Sequence, residues 1–434
     1  MRVLVVSHRF PPYGVTGVER VVEWTAGGLA RGGHDVTVLT RRAVAAPALP
    51  TLEVSTYRGL DVLTLVGGGM EFGVFPGRTA RLEALFERAL IERNPDAVLC
   101  SHLLHHSPAY VGIASRWGVP AVLEFHDFYF ACPLVHLERP TREPCDGPEA
   151  GEACATTCFA GQSHASLRWT TRARAFASAV RMASDLIAPS RHVATYFSEL
   201  YDPPSPVRVV PNPISIPVAR NAHLARAPLA DGVLRLACVG SVVPHKGPEL
   251  VLAALRIARA GPVSLSFLGP VDTAYAAMLR ERGRAVGGLE LSFYGSYAND
   301  TLPALLAPVD AVVIASTVPE SFGIAAYEAF ACGKPVLAAA AGALTEVVRD
   351  GENGLRFAPR DAVALAHVIE RLAHEPGLLA RLARGAAETP VTTVGTRVEA
   401  IAAILAAAAA SGPRVPAGPQ DASLHAAQSW LARN

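Results

Sequence analysis

Four stretches of this 434-residue chain carry side chains whose types and spacing suit chemistry. The first is Pro319-Glu320-Ser321-Phe322-Gly323-Ile324-Ala325-Ala326-Tyr327-Glu328-Ala329-Phe330. Gly323 suits a tight turn and Ser321 is a good N-cap type, so a helix is expected to start near Ser321. The exposed N–H groups and dipole of a helix start favour an anion such as a phosphate. Glu320 would sit just before that helix and Glu328 about two turns into it. Carboxylates set either side of a phosphate site suit a hydroxyl-rich ligand, because each accepts hydrogen bonds from hydroxyls.

The second stretch is Gly240-Ser241-Val242-Val243-Pro244-His245-Lys246-Gly247. Lys246 is a compact charge on a flexible stem, with the reach to meet a diphosphate. His245 beside it reads as solvent-facing. The third is Thr16-Gly17-Val18-Glu19, where Gly17 lets backbone approach a ligand closely. The fourth is His126-Asp127, directly after an apolar run.

The charge pattern singles out Lys246 again. Of 39 basic residues only Lys246 and Lys334 are lysines, which leaves 37 arginines. Lys334, between Gly333 and Pro335, reads as a helix-to-strand corner residue that satisfies the last helix carbonyls. Acidic residues number 38 and the formal charge is +1, which argues against a domain-wide basic field for nucleic acid. With 50% hydrophobic and 18% charged residues, the composition excludes an intrinsically disordered chain.

The elements that must position these residues repeat a simple pattern. Apolar runs at Val3–Val6, Val36–Leu39, Ala97–Cys100, Ala121–Phe125, Leu186–Ala188 and Val207–Val210 alternate with helical spacing. After Pro211, Asn212, Pro213 and Pro217 the pattern restarts. Strands are expected at Leu234–Val239, Ser264–Leu268, Leu289–Tyr294, Ala311–Ala315 and Val336–Ala340. Continuous apolar runs separated by helices indicate parallel sheets covered on both faces. In such open sheets ligands bind at the C-terminal ends of the strands, where the Lys246 loop and His126 fall. The expected division is residues 1–213, 214–394 and a final segment 395–434. That last segment would be a helix returning to the first domain and a mobile, proline-bearing tail. The N-terminal run is too short for a signal peptide and Ala400–Ala410 is too short to span a bilayer, so a cytoplasmic location is expected.

Two stretches stand apart. Cys132, Cys145, Cys154 and Cys158 fall within a segment, about 128–162, that has no helical or strand period. Four thiolates suit a structural zinc or an iron–sulfur cluster, although the spacing matches no standard zinc finger; unrelated thiols in a loop are the alternative. Cys100, Cys238 and Cys332 read as small core residues. Ser166–Ala183 carries Arg168, Arg172, Arg174 and Arg181 with no acid among them. It is either a solvated helix face or a surface for anionic lipid.

Taken together, these motifs resemble the family 4 glycosyltransferases, over about residues 1–390. The resemblance is most specific where Glu320-x7-Glu328 is followed by Ala331-Cys332-Gly333-Lys334-Pro335-Val336, then Glu346-Val347-Val348 and Asp350-Gly351-Glu352-Asn353-Gly354-Leu355. It implies an α/β chain of two Rossmann-like domains facing each other across a cleft, the GT-B fold. It implies a retaining enzyme that moves a sugar from a nucleotide-diphosphate sugar to a glycan or lipid-linked acceptor, with no cofactor or metal in the chemistry. Glu328 would hold the ribose hydroxyls. Glu320, with Ser321, Ile324 and the backbone at Phe322 and Gly323, would hold the sugar and diphosphate. Lys246 would neutralise the leaving group, Gly17 would lie against the phosphates, and His126 would contact the sugar near the reacting carbon. Base and sugar pockets are expected around Gly295 and Ser296. Two positions depart from the family pattern. Thr16 replaces a glycine, and Ser241 replaces an arginine, which removes one of two cations at the diphosphate. A GT-B epimerase or phosphorylase, or a non-catalytic nucleotide-sugar-binding subunit, are the rival readings.

Overall fold

Strand Arg2–Val6 (β1) shows why the first half folds as it does. Val3 and Val5 point into one apolar core and Leu4 and Val6 into another, so both faces of the strand are buried. A strand covered on both faces has to lie inside a parallel sheet with helices above and below. The computed structural model describes residues 1–14, 17–42, 50–67, 79–216 and 231–413. Thr16, residues 217–230 after the first prolines of the expected linker, and the chain from 414 onward lie outside the described residues.

Contacts divide the chain into two units. The first comprises Met1–Pro189, Val193–Val210 and the chain from Gly395 onward. Its strands are β1, β2 (Asp35–Arg42), β3 (Thr51–Tyr57), β4 (Leu60–Val66), β5 (Ala97–Cys100), β6 (Ala121–Glu124), β7 (Asp185–Ala188) and β8 (Arg208–Val209). They form one sheet in the order β3-β4-β2-β1-β5-β6-β7-β8. All neighbours are parallel except the β3–β4 hairpin, which turns through Arg58 and Gly59, both at positive φ. The helix Val394–Ser411 packs Ile401, Leu405 and Ala408 onto the core that also holds Val22, Ala26 and Leu29 of the helix Gly17–Arg31. At Gly28 an added Cβ would stand 2.3 Å from a methyl of Val398, so glycine permits that close helix approach.

The second unit comprises Ser190–His192 and Pro211–Val394. Its strands are β9 (Leu234–Val239), β10 (Val263–Leu268), β11 (Leu289–Gly295), β12 (Ala311–Ile314), β13 (Val336–Ala339) and β14 (Gly354–Phe357). The sheet runs β11-β10-β9-β12-β13-β14, all parallel. Successive residues again alternate between two cores: Ala311 and Val313 face one, Val312 and Ile314 the other. This strand order is the doubly wound one, and the order reverses between β9 and β12. In open sheets of this kind, ligands bind beyond the C-terminal ends of the strands at that point of reversal.

Candidate active site

The loop after β9 and the loop after β12 are stitched together. The backbone N–H of Thr317 donates to the His245 carbonyl at 2.8 Å. Gly247 adopts φ 71°, and a Cβ there would stand 2.0 Å from the Ala315 carbonyl oxygen, so no other residue fits without a shift. Across this seam Lys246 Nζ donates to Glu320 Oε1 at 2.6 Å. Ser316 Oγ donates to the same oxygen. Burial alone would raise the Glu320 carboxyl, but Lys246 and then Ser316 hold it below the usual carboxylate range. The Lys246 side chain stays 40% exposed and the Glu320 side chain 12%, so the ammonium is the accessible member of the pair.

The helix that follows differs from the sequence expectation. It spans Ile324–Ala331, and its N-cap is Gly323 at φ 79°, not Ser321. Ser321 instead offers its carbonyl to Ser190 Oγ at 2.7 Å. The reason is that Glu320 is held as an extended bridge to Gly342, with the Ala343 N–H donating to the Glu320 carbonyl at 2.8 Å. The chain can enter the helix only after the left-handed turn at Gly323. Glu328 consequently lies about one turn into the helix rather than two. Phe322 is buried and stacks on Tyr327 at 4.5 Å, which fixes the backbone at the helix entrance.

Ser241 directly follows Gly240 at the end of β9, in the same loop as Lys246. Ser296 is exposed after the edge strand β11, two strands from β9, so the structure does not bring it beside Lys246. Lys334 is buried and donates to the Ala307 carbonyl at 3.1 Å. Its side chain therefore satisfies the end of the helix Leu302–Leu306, while its backbone N–H donates to the Ala329 carbonyl of the helix that precedes it at 2.9 Å.

In the first unit, the residues after β1, β5 and β6 form a buried polar cluster. Gly17 is the first residue of the helix Gly17–Arg31. His126 is buried with Nε2 3.4 Å from Glu124 Oε2. Asp127 faces His102 Nε2 at 2.9 Å and accepts from the Tyr129 N–H at 2.8 Å. Burial opposes its ionisation, yet His102 and Tyr129 hold its pKa at about 2. His8 lies 3.3 Å from Glu19 and its ring centroid is 4.4 Å from that of His102. Burial first, then His102, push His8 below its ordinary value of 6.5. Sequence reasoning assigned no role to His8, His102 or Ser316. The available signal was position, since each follows the C-terminal end of a parallel strand.

The cysteine segment is ordered but largely irregular. It contains a 3-10 turn at Glu149–Gly151 and a π turn at Cys154–Cys158, before the helix Ala165–Met182. Among the described residues no three His, Cys, Asp or Glu side chains are grouped so as to hold a metal ion as placed. The arginine-bearing helix also needs a correction. Arg172 is buried and donates to the carbonyls of Tyr129, Phe130 and Ala131, which removes it from any lipid-facing surface. Arg174 and Arg181 remain exposed.

Comparison with known proteins bears on what these groups do. Residues 15–216 match the family described as Glycosyltransferase Family 4, and residues 220–389 match Glycosyl transferases group 1. A D-inositol 3-phosphate glycosyltransferase of Actinosynnema mirum is 30% identical over 390 residues, which covers 85% of this chain and 87% of that protein. A glycogen synthase of Mycobacterium tuberculosis is 28% identical over 395 residues, 89% of each. Among solved structures, Anabaena HepE in complex with UDP and glucose superposes with a TM-score of 0.63 at 19% identity, covering 94% of this chain and all of that one. WaaG, a glycosyltransferase involved in lipopolysaccharide biosynthesis, gives 0.62 at 18% identity, covering 93% and 99%.

Proposed function

The chain belongs to the family 4 glycosyltransferases, enzymes of the GT-B fold that use nucleotide-sugars, and from that premise we propose how its residues divide the work. The second unit holds the donor. Lys246 meets the diphosphate as a point charge, and the N–H groups at Phe322, Gly323 and Ile324 face it from the helix entrance, with Ser321 beside them. Glu328 accepts hydrogen bonds from the ribose hydroxyls, and Glu320 from the sugar. Ser241 borders the diphosphate, and Ser296 contributes to the outer wall of the base pocket. The first unit supplies Gly17 against the phosphates and His126 near the reacting carbon, and reads the acceptor, a glycan or a lipid-linked saccharide. The exposed Arg174 and Arg181 are the candidates for a peripheral contact with anionic lipid.

The observation that carries this reading is the Lys246–Glu320 pair at the point where the strand order reverses. In the reaction, the bond between the sugar's anomeric carbon and the diphosphate oxygen breaks, and its electron pair leaves with the diphosphate. The acceptor hydroxyl forms the new bond on the same face, and its proton passes to the departing phosphate oxygen. Charge therefore grows on the diphosphate, where a fixed ammonium and oriented N–H groups stabilise the transition state more than the ground state. No protein nucleophile is required, and the configuration is retained.

The test is release of nucleoside diphosphate from a donor panel, led by UDP-glucose because a HepE structure holds that ligand. Tight donor binding without release, with any acceptor, would favour a binding subunit. Glu328→Ala is expected to weaken nucleotide affinity about tenfold or more, the loss of charge-assisted hydrogen bonds. Unchanged affinity would remove the ribose role.

A further inference from the structure

The segment from Phe128 to the helix Ala165–Met182 is held in place by its own hydrogen bonds and ring contacts. Cys132 N–H donates to Phe128 O at 2.7 Å, Cys145 N–H to Leu137 O at 2.8 Å, and Phe159 N–H to Cys154 O at 3.0 Å. A bridge between Glu138 and Pro144 closes the intervening loop. Phe159 stacks on Trp169 at 4.0 Å, and Arg172 ties the helix to the carbonyls at the start of the segment. The result is a cavity whose wall includes all four cysteines of the segment, with Leu134 and Leu137. Cys132 and Cys154 are buried, Cys145 and Cys158 half-buried, and none is in a disulfide.

Four thiols drawn from three stretches of the segment onto one cavity need a reason. Ordinary packing does not supply it, because Val135, Leu137 and Ala150 all take positive φ to make those turns, at 75°, 54° and 54°. We propose that Cys132, Cys145, Cys154 and Cys158 are the four ligands of a structural thiolate–metal centre, a zinc ion or an iron–sulfur cluster, around which this segment is organised. As placed, the thiols line the wall and do not meet at one point, so binding draws them inward. Each ligating thiol gives its proton to solvent as it binds.

Arg139 lines the same cavity, and the buried Arg172 donates to the carbonyls of Tyr129, Phe130 and Ala131 beside it, so positive charge stands close to what would be an anionic centre. The segment departs from His126-Asp127 with Phe128, so the centre would also brace the backbone that carries those two residues.

The experiment is metal and acid-labile sulfide analysis of the full chain, purified without oxygen and without an affinity metal. One zinc per chain, or four iron with matching sulfide and visible absorption, is the expected result, and the analysis tells the two apart. Cys145→Ser and Cys154→Ser should each lose most of the metal, whereas Cys238→Ser should retain it. Should either variant fail to fold, thiol titration of the unfolded wild type decides. Three reactive thiols rising to seven on adding a chelator support the centre. Wild-type chain that folds without bound metal, and whose seven thiols all titrate on unfolding with no chelator added, overturns it. None of these readouts depends on glycosyl transfer.

Discussion

Arg397 Nη2 donates to Glu124 Oε1 at 2.5 Å, and both side chains are almost wholly buried, at 1% and 2% exposure. The pair joins the helix Val394–Ser411 to the end of β6, two residues before His126. Arg397 also donates to the Val210 carbonyl and to Thr25, while Glu124 accepts from Ser101 Oγ. A buried ion pair offsets its desolvation only with such additional bonds. Arg397→Met should cost about 3–5 kcal/mol in urea denaturation, because it leaves a buried carboxylate uncompensated. Adding Glu124→Leu to the same chain should recover most of that loss. A double variant no more stable than the single would show that the pair is not what the position needs.

Acid should act in two stages. His8 and His106 are held neutral below their ordinary value of 6.5, chiefly by burial. The unfolded chain therefore takes up more protons below that pH, and stability falls as pH drops through 6.5. Glu124 and Asp127 titrate at about 2 in the folded chain, against ordinary values of 4.5 and 3.8. Their contribution is complete above about 4.5 and is lost as pH falls toward 2. Urea midpoints measured from pH 8 to pH 3 should stay level above 7, then decline in those two windows. A midpoint that is flat down to pH 5 would contradict the histidine part.

Lys246→Met should lower kcat by about 10²–10³, the scale for removing one preorganised group that stabilises transition-state charge. Lys246→Arg should fall between. Its planar fork differs in shape from a point charge, even in a chain with 37 arginines. Steady-state nucleoside diphosphate release gives both values; an unaltered kcat in Lys246→Met would remove the leaving-group role.

Gly247 and Gly240 offer a matched comparison in one loop. Both have positive φ, 71° and 108°, but only Gly247 faces an obstacle, the Ala315 carbonyl; Gly240 faces open space. Gly247→Ala should destabilise by more than Gly240→Ala, which carries the conformational cost alone, about 1 kcal/mol. Equal melting shifts for the two would mean the contact with Ala315 relaxes freely.

Much of this was legible in the sequence because parallel strands buried on both faces leave continuous apolar runs. The β3–β4 hairpin was not, since Thr51–Tyr57 lies at the sheet edge, largely exposed, and mixes polar residues with Leu52 and Val54 instead of forming a continuous apolar run. β14 was hidden inside the Asn353-Gly354 motif. Ser321 looked like a helix cap because its type fits; the bridge from Glu320 to Gly342, made by residues distant in sequence, overrides it. Lys246 and Glu320 could be singled out separately, but their ion pair spans 74 residues and follows from strand order. Arg397 left a trace that went unread: a charge on the buried face of an alanine-rich helix, alongside Ile401, Leu405 and Ala408.

The return of that helix to the first unit also sets an order of events during synthesis. A ribosome makes all of Pro211–Val394 before it makes Arg397, so the second unit can be completed while the first still lacks its last helix. Until then Glu124 has no cation, and the apolar groove that receives Ile401, Leu405 and Ala408 stays open to water. The half of the protein that is synthesised first is thus the half that finishes folding last. A chain released early would carry an intact second unit and an unfinished first one, exposed to chaperones and proteases.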